Sequence, residues 1–269
     1  MPDEFDAEAV TQFENESWSR CATNYMDGFG ALVYEGITPL LDEADEAKVS
    51  AGDRVLDVGT GPGLVAAAAG ERGAKPIGLD FSETMLAEAR RLHPDIEFRA
   101  GSGESLPFED KTFDVVVGNF VLHHSGAPDK IMTEAFRVLR PGGRMGFTVW
   151  ADPSKLEAFG LFFAAVEEHA GAAELPHGPL FGVSDFAVFH GLAAQACFRD
   201  SAVRELQIAW RMPSLDSFLA AFRDWAKLEA FPSDVQRAIE ASVRERGAAY
   251  RRGEVFTIPN PAILVTAVK

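Results

Sequence analysis

Residues 54–63 read Arg-Val-Leu-Asp-Val-Gly-Thr-Gly-Pro-Gly, an apolar run that leads directly into three alternating glycines. The run 54–58 predicts a short buried strand, and the helix-forming stretch 64–72 follows it. Glycines allow a sharp turn and close approach of a ligand to the main chain, while the helix N-terminus offers free N–H groups. The stretch predicts a strand, turn and helix of a parallel sheet with a ligand site at the turn. An ordinary glycine-rich turn without a ligand is the alternative.

The glycine spacing indicates which ligand the turn would bind. A dinucleotide fingerprint requires G-x-G-x-x-G, but the sixth position counted from Gly59 is Leu64. Asp57 lies two residues before Gly59, and its carboxylate suits a ligand that carries an ammonium group better than a pyrophosphate. Asp80 ends the next predicted strand, where a carboxylate can accept hydrogen bonds from both hydroxyls of a ribose. Together these features favour a nucleoside ligand other than NAD.

Strands and helices alternate on both sides of this turn. We predict strands at 54–58, 76–79, 96–99, 113–117 and 144–150, and helices at 64–72, 82–91 and 129–139. Because each parallel connection needs a right-handed crossover, this order predicts a doubly wound α/β fold. We expect 202–210 and 262–268 to complete a seven-stranded sheet, with 211–253 inserted between them.

The flanking segments predict a lid. Residues 3–19 and 29–47 have amphipathic helical patterns, as do 154–170, 184–195, 214–230 and 234–251. We expect a helical lid over 1–50, a ligand-binding core over 51–150, and a segment 151–269 that completes the sheet and carries a helical cap.

Charge and composition exclude several classes of protein. The formal net charge is −16, and residues 1–50 hold twelve acidic side chains against two basic ones, which disfavours a nucleic-acid partner. The two cysteines have no spacing typical of a metal site or a disulfide framework. No signal peptide or membrane span is predicted, so we expect a cytoplasmic monomer or homodimer without a metal.

Five motifs carry a family resemblance; they are 55–63, 78–82, 101–108, 113–124 and 134–143. In order and spacing they resemble the class I S-adenosylmethionine-dependent methyltransferases of the ubiquinone/menaquinone C-methyltransferase-like group, methyltransferase type 11. The resemblance covers roughly residues 50–150 and implies a Rossmann-like fold with S-adenosylmethionine as cofactor and S-adenosylhomocysteine as product. It says little about the methyl acceptor.

The resemblance also implies roles for individual residues. The turn Gly59, Thr60, Gly61 and Gly63 would cradle the methionine part, which Asp57 would orient, and Asp80 would hold the ribose. Phe81 and Met85 would flank the adenine, and Asn119 and Phe120 would line the sulfonium end. The adenine amino group would lie at Ser102, Gly103 and Glu104, where the family usually has an aspartate at the position of Ser102. A shorter, uncharged serine implies weaker cofactor binding rather than a different cofactor.

His123 and His124 lie where the family approaches the transferred methyl group, and His124 would also contact the cofactor. Either could remove a proton from the acceptor, or could simply pack or hydrogen-bond locally. Trp18 and Tyr25, with Phe29, could cover a sulfonium by cation–π attraction or could be core residues. Phe159 and the aromatic residues that follow it could form a pocket wall or the core of the lid.

These observations predict a methyltransferase that acts on a small, partly hydrophobic metabolite, at oxygen, nitrogen or carbon. A quinone precursor or a specialised metabolite would suit an aromatic lid. The alternatives are an S-adenosylmethionine-binding enzyme of other chemistry, such as a cyclase, an NAD-dependent oxidoreductase, and a binding module without catalysis.

Overall fold

The computed structural model describes residues 7–22, 24–26, 28–43, 48–171 and 185–269. Its strands are β1 Arg54–Val58, β2 Lys75–Asp80, β3 Glu97–Ala100, β4 Phe113–Asn119, β5 Leu139–Trp150, β6 Arg199–Leu206, β7 Ala209–Met212, β8 Arg251–Arg252, β9 Val255–Pro259 and β10 Ala262–Val268. Its α-helices are α1 Ala7–Cys21, α2 Phe29–Tyr34, α3 Leu64–Glu71, α4 Glu83–Leu92, α5 Pro128–Val138, α6 Glu157–Ala170, α7 Phe186–Gln195, α8 Leu215–Trp225 and α9 Ser233–Gly247.

Seven strands form the central sheet in the order β3-β2-β1-β4-β5-β10-β6. The first five are parallel, and β10 runs antiparallel to both of its neighbours. Helices α3, α4 and α5 connect β1 to β2, β2 to β3 and β4 to β5. Six of the seven residues of β4 are buried, as expected for a parallel strand covered on both faces. The predicted doubly wound α/β fold with seven strands is confirmed.

The prediction of one strand over 202–210 is wrong. Strand β6 ends at Leu206, and β7 enters a second sheet of three strands in the order β7-β9-β8. The chain turns where the Ile208 N–H donates to the Leu206 carbonyl, 3.2 Å away. Trp210, on β7, is fully buried and stacks on Phe29. The inserted segment therefore has a small sheet of its own.

The predicted helix over 29–47 is shorter than expected. Helix α2 ends at Tyr34, and a π-helical turn occupies Pro39–Glu43. Pro39 lacks a backbone N–H and disfavours a continuous α-helix. Residues 3–6 and 44–47 of the two predicted N-terminal helices lie outside the described residues. In the described part of the chain, every helix is too short or too polar to cross a bilayer.

Helix α1 packs against both the core and the inserted segment. It packs against α4 and α8 and against the 3-10 turn Leu122–His124 that follows β4. Ser19 Oγ lies 3.2 Å from Ser82 Oγ at the start of α4. On the other side, Arg20 Nε donates to the Asp224 carbonyl of α8 at 3.2 Å. The helix therefore lies over the carboxyl ends of the parallel strands.

Candidate functional site

The three glycines of the turn after β1 all have positive φ, but they meet different surroundings. A Cβ on Gly59 would lie 2.5 Å from Val121 Cγ2, and one on Gly63 would lie 2.7 Å from Phe98 Cζ. A Cβ on Gly61, where φ is 53°, would have no atom within 4 Å. Gly59 and Gly63 thus allow close packing of the protein, whereas Gly61 leaves open space next to the main chain.

Asp57 lies beneath the turn and is fully buried. Its Oδ2 accepts hydrogen bonds from Thr60 Oγ1 at 2.6 Å and from the Ala66 N–H at 3.1 Å. Its Oδ1 is also buried and has no hydrogen-bond partner in the described structure. Burial raises the pKa of this carboxyl to about 7, against the lowering effect of the two hydrogen bonds. The free oxygen could accept a hydrogen bond from a cationic ligand group.

Asp80 ends β2 and faces the same turn. Its Oδ2 accepts from the Gly61 N–H and its Oδ1 from the Ser82 N–H, both at 2.8 Å. Burial raises the pKa of the carboxyl, and these backbone N–H groups oppose the rise. Each oxygen keeps a second lone pair, so the carboxylate can hold the turn and still accept from a ligand.

Two adjoining cavities lie above the turn, with empty volumes of about 740 and 540 Å³. They share Gly59, Asp80, Phe81, Val121 and His124. The first is otherwise lined by Trp18, Tyr25, Phe29, Val33, Gly61, Met85, Asn119, Phe120, Trp150, Phe159 and Trp225. The second is otherwise lined by Thr11, Val58, Leu79, Gly101, Ser102, Gly103, Glu104, Ser125 and Ile131. The first cavity is therefore largely aromatic, whereas the second is lined mainly by small and aliphatic residues, with Ser102, Glu104 and Ser125 among them.

Most residues predicted for the cofactor line one of these cavities. The first brings together Trp18, Tyr25, Gly59, Gly61, Asp80, Phe81, Met85, Asn119, Phe120 and His124, and the second adds Ser102, Gly103 and Glu104. Asp57, Thr60 and Gly63 do not line either cavity. Thr60 donates a hydrogen bond to Asp57, and the absence of a Cβ on Gly63 leaves room for the ring of Phe98. These residues therefore support the turn from below.

The two histidines have different surroundings. His123 is 0% exposed, its ring nitrogens have no hydrogen-bond partner in the described residues, and it lines neither cavity. Burial, and then the neighbouring His124, holds its pKa well below the usual range. His124 lines both cavities, and its Nδ1 lies 3.0 Å from Glu14 Oε2. The base hypothesis is therefore retained for His124 and not for His123.

The end of β4 has a fixed geometry. Asn119 Nδ2 donates to the Val33 carbonyl at 2.9 Å, and its Oδ1 accepts from Thr148 Oγ1 at 2.6 Å. Phe120 has φ of 59°, an unfavourable value for a residue with a side chain, and its ring stacks on Trp150 with centroids 3.9 Å apart. Such strain persists only where the surroundings enforce it, so Phe120 is held as part of the cavity wall.

The shape of the second cavity depends on the turn 102–105. The Glu104 N–H donates to Ser102 Oγ at 3.1 Å, and Ser125 Oγ donates to Glu104 Oε1 at 2.6 Å. Ser102 is thus partly engaged within its own loop. It can still accept from a ligand amino group through its second lone pair.

Sequence reasoning missed several lining residues. Val33, Val121 and Trp225 line the aromatic cavity, and Trp150 was interpreted only as the end of a strand. Val121 could have been found as a residue next to the paired histidines. Trp225 and Val33 come from segments remote in sequence and carried no local signal. In the described part of the chain, no group of three or more His, Cys, Asp or Glu side chains could hold a metal.

Comparisons with known proteins show similarity over part of this chain. Residues 56–147 match the family model described as a methyltransferase domain. The demethylmenaquinone methyltransferase of Renibacterium salmoninarum is 37% identical over 118 residues, which are 44% of this chain and 48% of the relative. That of Chlorobaculum tepidum is 45% identical over 91 residues, which are 34% of this chain and 38% of the relative. The chain thus spans at most about half the length of these curated relatives.

Similarity to solved structures extends further along the chain. A phosphoethanolamine N-methyltransferase of Haemonchus contortus, in complex with S-adenosylhomocysteine, superposes with a TM-score of 0.59. The superposition covers 100% of this chain and 61% of the Haemonchus contortus chain, at 18% sequence identity. At this identity the likeness shows the fold.

Proposed function

We propose that this chain, in which residues 56–147 form a class I S-adenosylmethionine-dependent methyltransferase domain, methylates a small, uncharged aromatic acceptor. The observation that carries the proposal is the junction of the two cavities. They meet at Gly59, Asp80 and His124, so a nucleoside in one would present its reactive end to the other.

The residues of the turn fit this cofactor. Gly61 leaves its main chain open, Asp80 has lone pairs for ribose hydroxyls, and Asp57 has a buried oxygen without a partner. Because Asp57 lines neither cavity, it would favour a cofactor ammonium group through its charge and through the turn that it supports. Ser102 and Glu104 would hold the adenine. Once bound, S-adenosylmethionine supplies a methyl group attached to a sulfonium sulfur, which is an excellent leaving group because it departs as a neutral thioether.

The cofactor would occupy the part of the aromatic cavity next to the turn, and the part lined by Trp150, Phe159 and Trp225 would hold the acceptor. Among the described residues, the lining of this cavity includes no Lys or Arg and Asp80 is the one acidic residue, so no described side chain would offer an anionic acceptor a cationic partner. Phe120, Trp150, Phe159 and Trp225 offer flat apolar surfaces that suit a planar ring. Both relatives are named demethylmenaquinone methyltransferase, and the ring system of a quinone is planar and uncharged.

The residues of this chain would accelerate transfer mainly by alignment and by exclusion of water. Helix α1 and the ring of Trp18 cover the junction of the cavities. His124 would take up a proton from the nucleophilic atom of the methyl acceptor, because that atom becomes more acidic as the methyl group is transferred to it.

The test uses S-adenosylmethionine with an isotopically labelled methyl group and two matched acceptors, dihydroxynaphthalene and its carboxylated analogue dihydroxynaphthoate. We expect the labelled methyl group on dihydroxynaphthalene, with at least tenfold lower kcat/KM for the carboxylate. Preference for the carboxylate would contradict the uncharged acceptor. Binding of S-adenosylhomocysteine without methyl transfer to either acceptor, or to catechol and aniline, would contradict the proposed reaction. Mass analysis would identify a cyclase, whose product is not heavier than its substrate by a CH₂ group.

A further inference from the structure

Glu14 is a buried carboxylate on the N-terminal helix α1. It is 2% exposed, whereas Glu16, two residues further along the same helix, is exposed and pairs with Lys227. Trp18 Nε1 donates a hydrogen bond to Glu14 Oε2 at 2.9 Å, and His124 Nδ1 lies 3.0 Å from the same oxygen. The carboxylate therefore faces the cavity wall rather than solvent.

Burial of a carboxylate is costly unless it is paired. The ion pairs among the described residues give Glu14 one partner, His124, and the indole N–H of Trp18 is its hydrogen-bond donor. Trp18 also packs edge-on against the His124 ring, with centroids 5.0 Å apart. Two side chains of α1 thus fix the position of an imidazole that belongs to the core of the fold.

We propose that Glu14 is a positioning residue for His124 and that the pair serves an acceptor whose nucleophilic group must lose a proton. This proposal rests on the proposed function. Glu14 directs Nδ1 toward α1, which leaves Nε2 as the basic nitrogen. No hydrogen bond from the described residues reaches Nε2, and the side chain lines both cavities. A general base oriented by a carboxylate is a recurrent arrangement in catalysis.

The step balances without a further reactant. A lone pair of the acceptor forms the bond to the methyl carbon, and the methyl–sulfur bond breaks with its electron pair on sulfur. The acceptor proton passes to Nε2, and Glu14 stabilises the resulting imidazolium. The Glu14–His124 contact is close but lacks the alignment of a hydrogen bond, and such contacts often tighten when substrate binds. The other titratable groups around His124 are His123, which stays neutral, and Asp80 and Glu104 across the cavities.

The test compares Glu14→Gln with Glu16→Gln, the same change on the same helix at an exposed position. With dihydroxynaphthalene as acceptor, we expect Glu14→Gln to lower kcat by roughly tenfold to a hundredfold and Glu16→Gln by less than about twofold. Affinity for S-adenosylhomocysteine should change by less than about threefold in both. Because Glu14 acts through His124, adding Glu14→Gln to His124→Asn should slow turnover no further. Equal rates for the two Gln variants, or additive losses in the double variant, would overturn the positioning role.

A second readout does not need activity. Unfolding equilibria of wild type, Glu14→Gln, His124→Asn and the double variant form a double-mutant cycle. We expect the two sites to be coupled by at least about fivefold in the equilibrium constant, because each single change leaves the other buried side chain without its partner. Additive effects of the two changes on unfolding would mean that the side chains do not interact and would overturn the pair. Absence of product from all acceptors would overturn the proposed function, and the role as a base with it, whatever the cycle shows.

Discussion

Asp57→Asn should change how stability depends on pH. Burial raises the pKa of the Asp57 carboxyl from 3.8 to about 7, so the folded state holds a proton that the unfolded state has lost. Between about pH 4 and pH 7 the unfolding free energy therefore falls as pH rises, and it is constant above pH 7 with respect to this group. At about 1.4 kcal/mol per pKa unit, the difference amounts to at most about 4 kcal/mol.

The amide of Asn keeps an oxygen that can accept from Thr60 Oγ1 and the Ala66 N–H, but it has no charge to desolvate. Urea unfolding at pH 5, 6, 7 and 8 measures the effect. We expect the stability of the variant relative to wild type to rise steadily from pH 5 to pH 7 and then to level off. Asp95→Asn, at an exposed turn, is the control and should follow wild type.

Cofactor affinity should depend on pH in the opposite direction, rising as pH rises to about 7. A cationic ligand group near Asp57 favours the ionised carboxylate, so wild type must release a proton on binding below about pH 7. Calorimetry with S-adenosylhomocysteine should show weaker binding at pH 6 than at pH 8, by at most tenfold per pH unit. In Asp57→Asn binding should be weaker at pH 8 and nearly independent of pH. Parallel stability curves for the variant and wild type would refute the buried, protonated carboxyl.

Four other substitutions test the site. Asp80→Asn places an amide N–H where acceptors now bond the Gly61 and Ser82 N–H groups, so calorimetry should show roughly tenfold or greater loss of S-adenosylhomocysteine affinity. Gly61→Ala and Gly63→Ala both place a side chain at positive φ, so both should lower Tm, and Gly63→Ala should lower it further because its Cβ would also meet Phe98. The larger loss of that affinity should come from Gly61→Ala; the reverse pattern would contradict the open face of Gly61. His123→Leu removes two unpartnered ring nitrogens, so Tm should stay level or rise and turnover should fall less than about threefold; a loss as large as that of His124→Asn would restore His123 as a base.

The core of the fold could be predicted because its signals are local. Strand β1 has the predicted bounds 54–58, and the Ser82 side chain caps α4 as its position before Glu83 indicates. A buried parallel strand is a short apolar run, and the turn after it requires glycine, so both are visible in a few residues. The same locality explains why Gly61 and Asp80 could be placed near a cofactor.

The inserted segment could not be predicted in this way. Arg199–Leu206 and Ala209–Met212 are both strand-like, and no sequence signal shows that they belong to different sheets. That division depends on Trp210, which needs Phe29 and Phe218 from remote segments to bury its ring. The prediction of one strand over 202–210 was therefore based on β-propensity, whereas tertiary packing decides where the strand ends.

Glu14 shows the same limit within the site. An acidic helix next to other acidic residues is typical of a solvated surface, and Glu16 conforms to that expectation. Glu14 differs because it faces His124, 110 positions further along the chain. Hydropathy is the same for both glutamates, so it cannot indicate that Glu14 is buried and Glu16 is exposed.

The division between local and remote signals also limits what the relatives can say about the acceptor. The family match ends at residue 147, whereas Trp150, Phe159 and Trp225 of the aromatic cavity lie beyond it and Trp18 precedes it. The identity of the matched segment therefore supports the cofactor chemistry and leaves the acceptor wall unconstrained. A domain can keep its strand, turn and helix for the nucleoside while α1 and α8 change what the aromatic cavity accepts. The proposal of an uncharged planar acceptor therefore rests on the described lining of this cavity and not on the relatives.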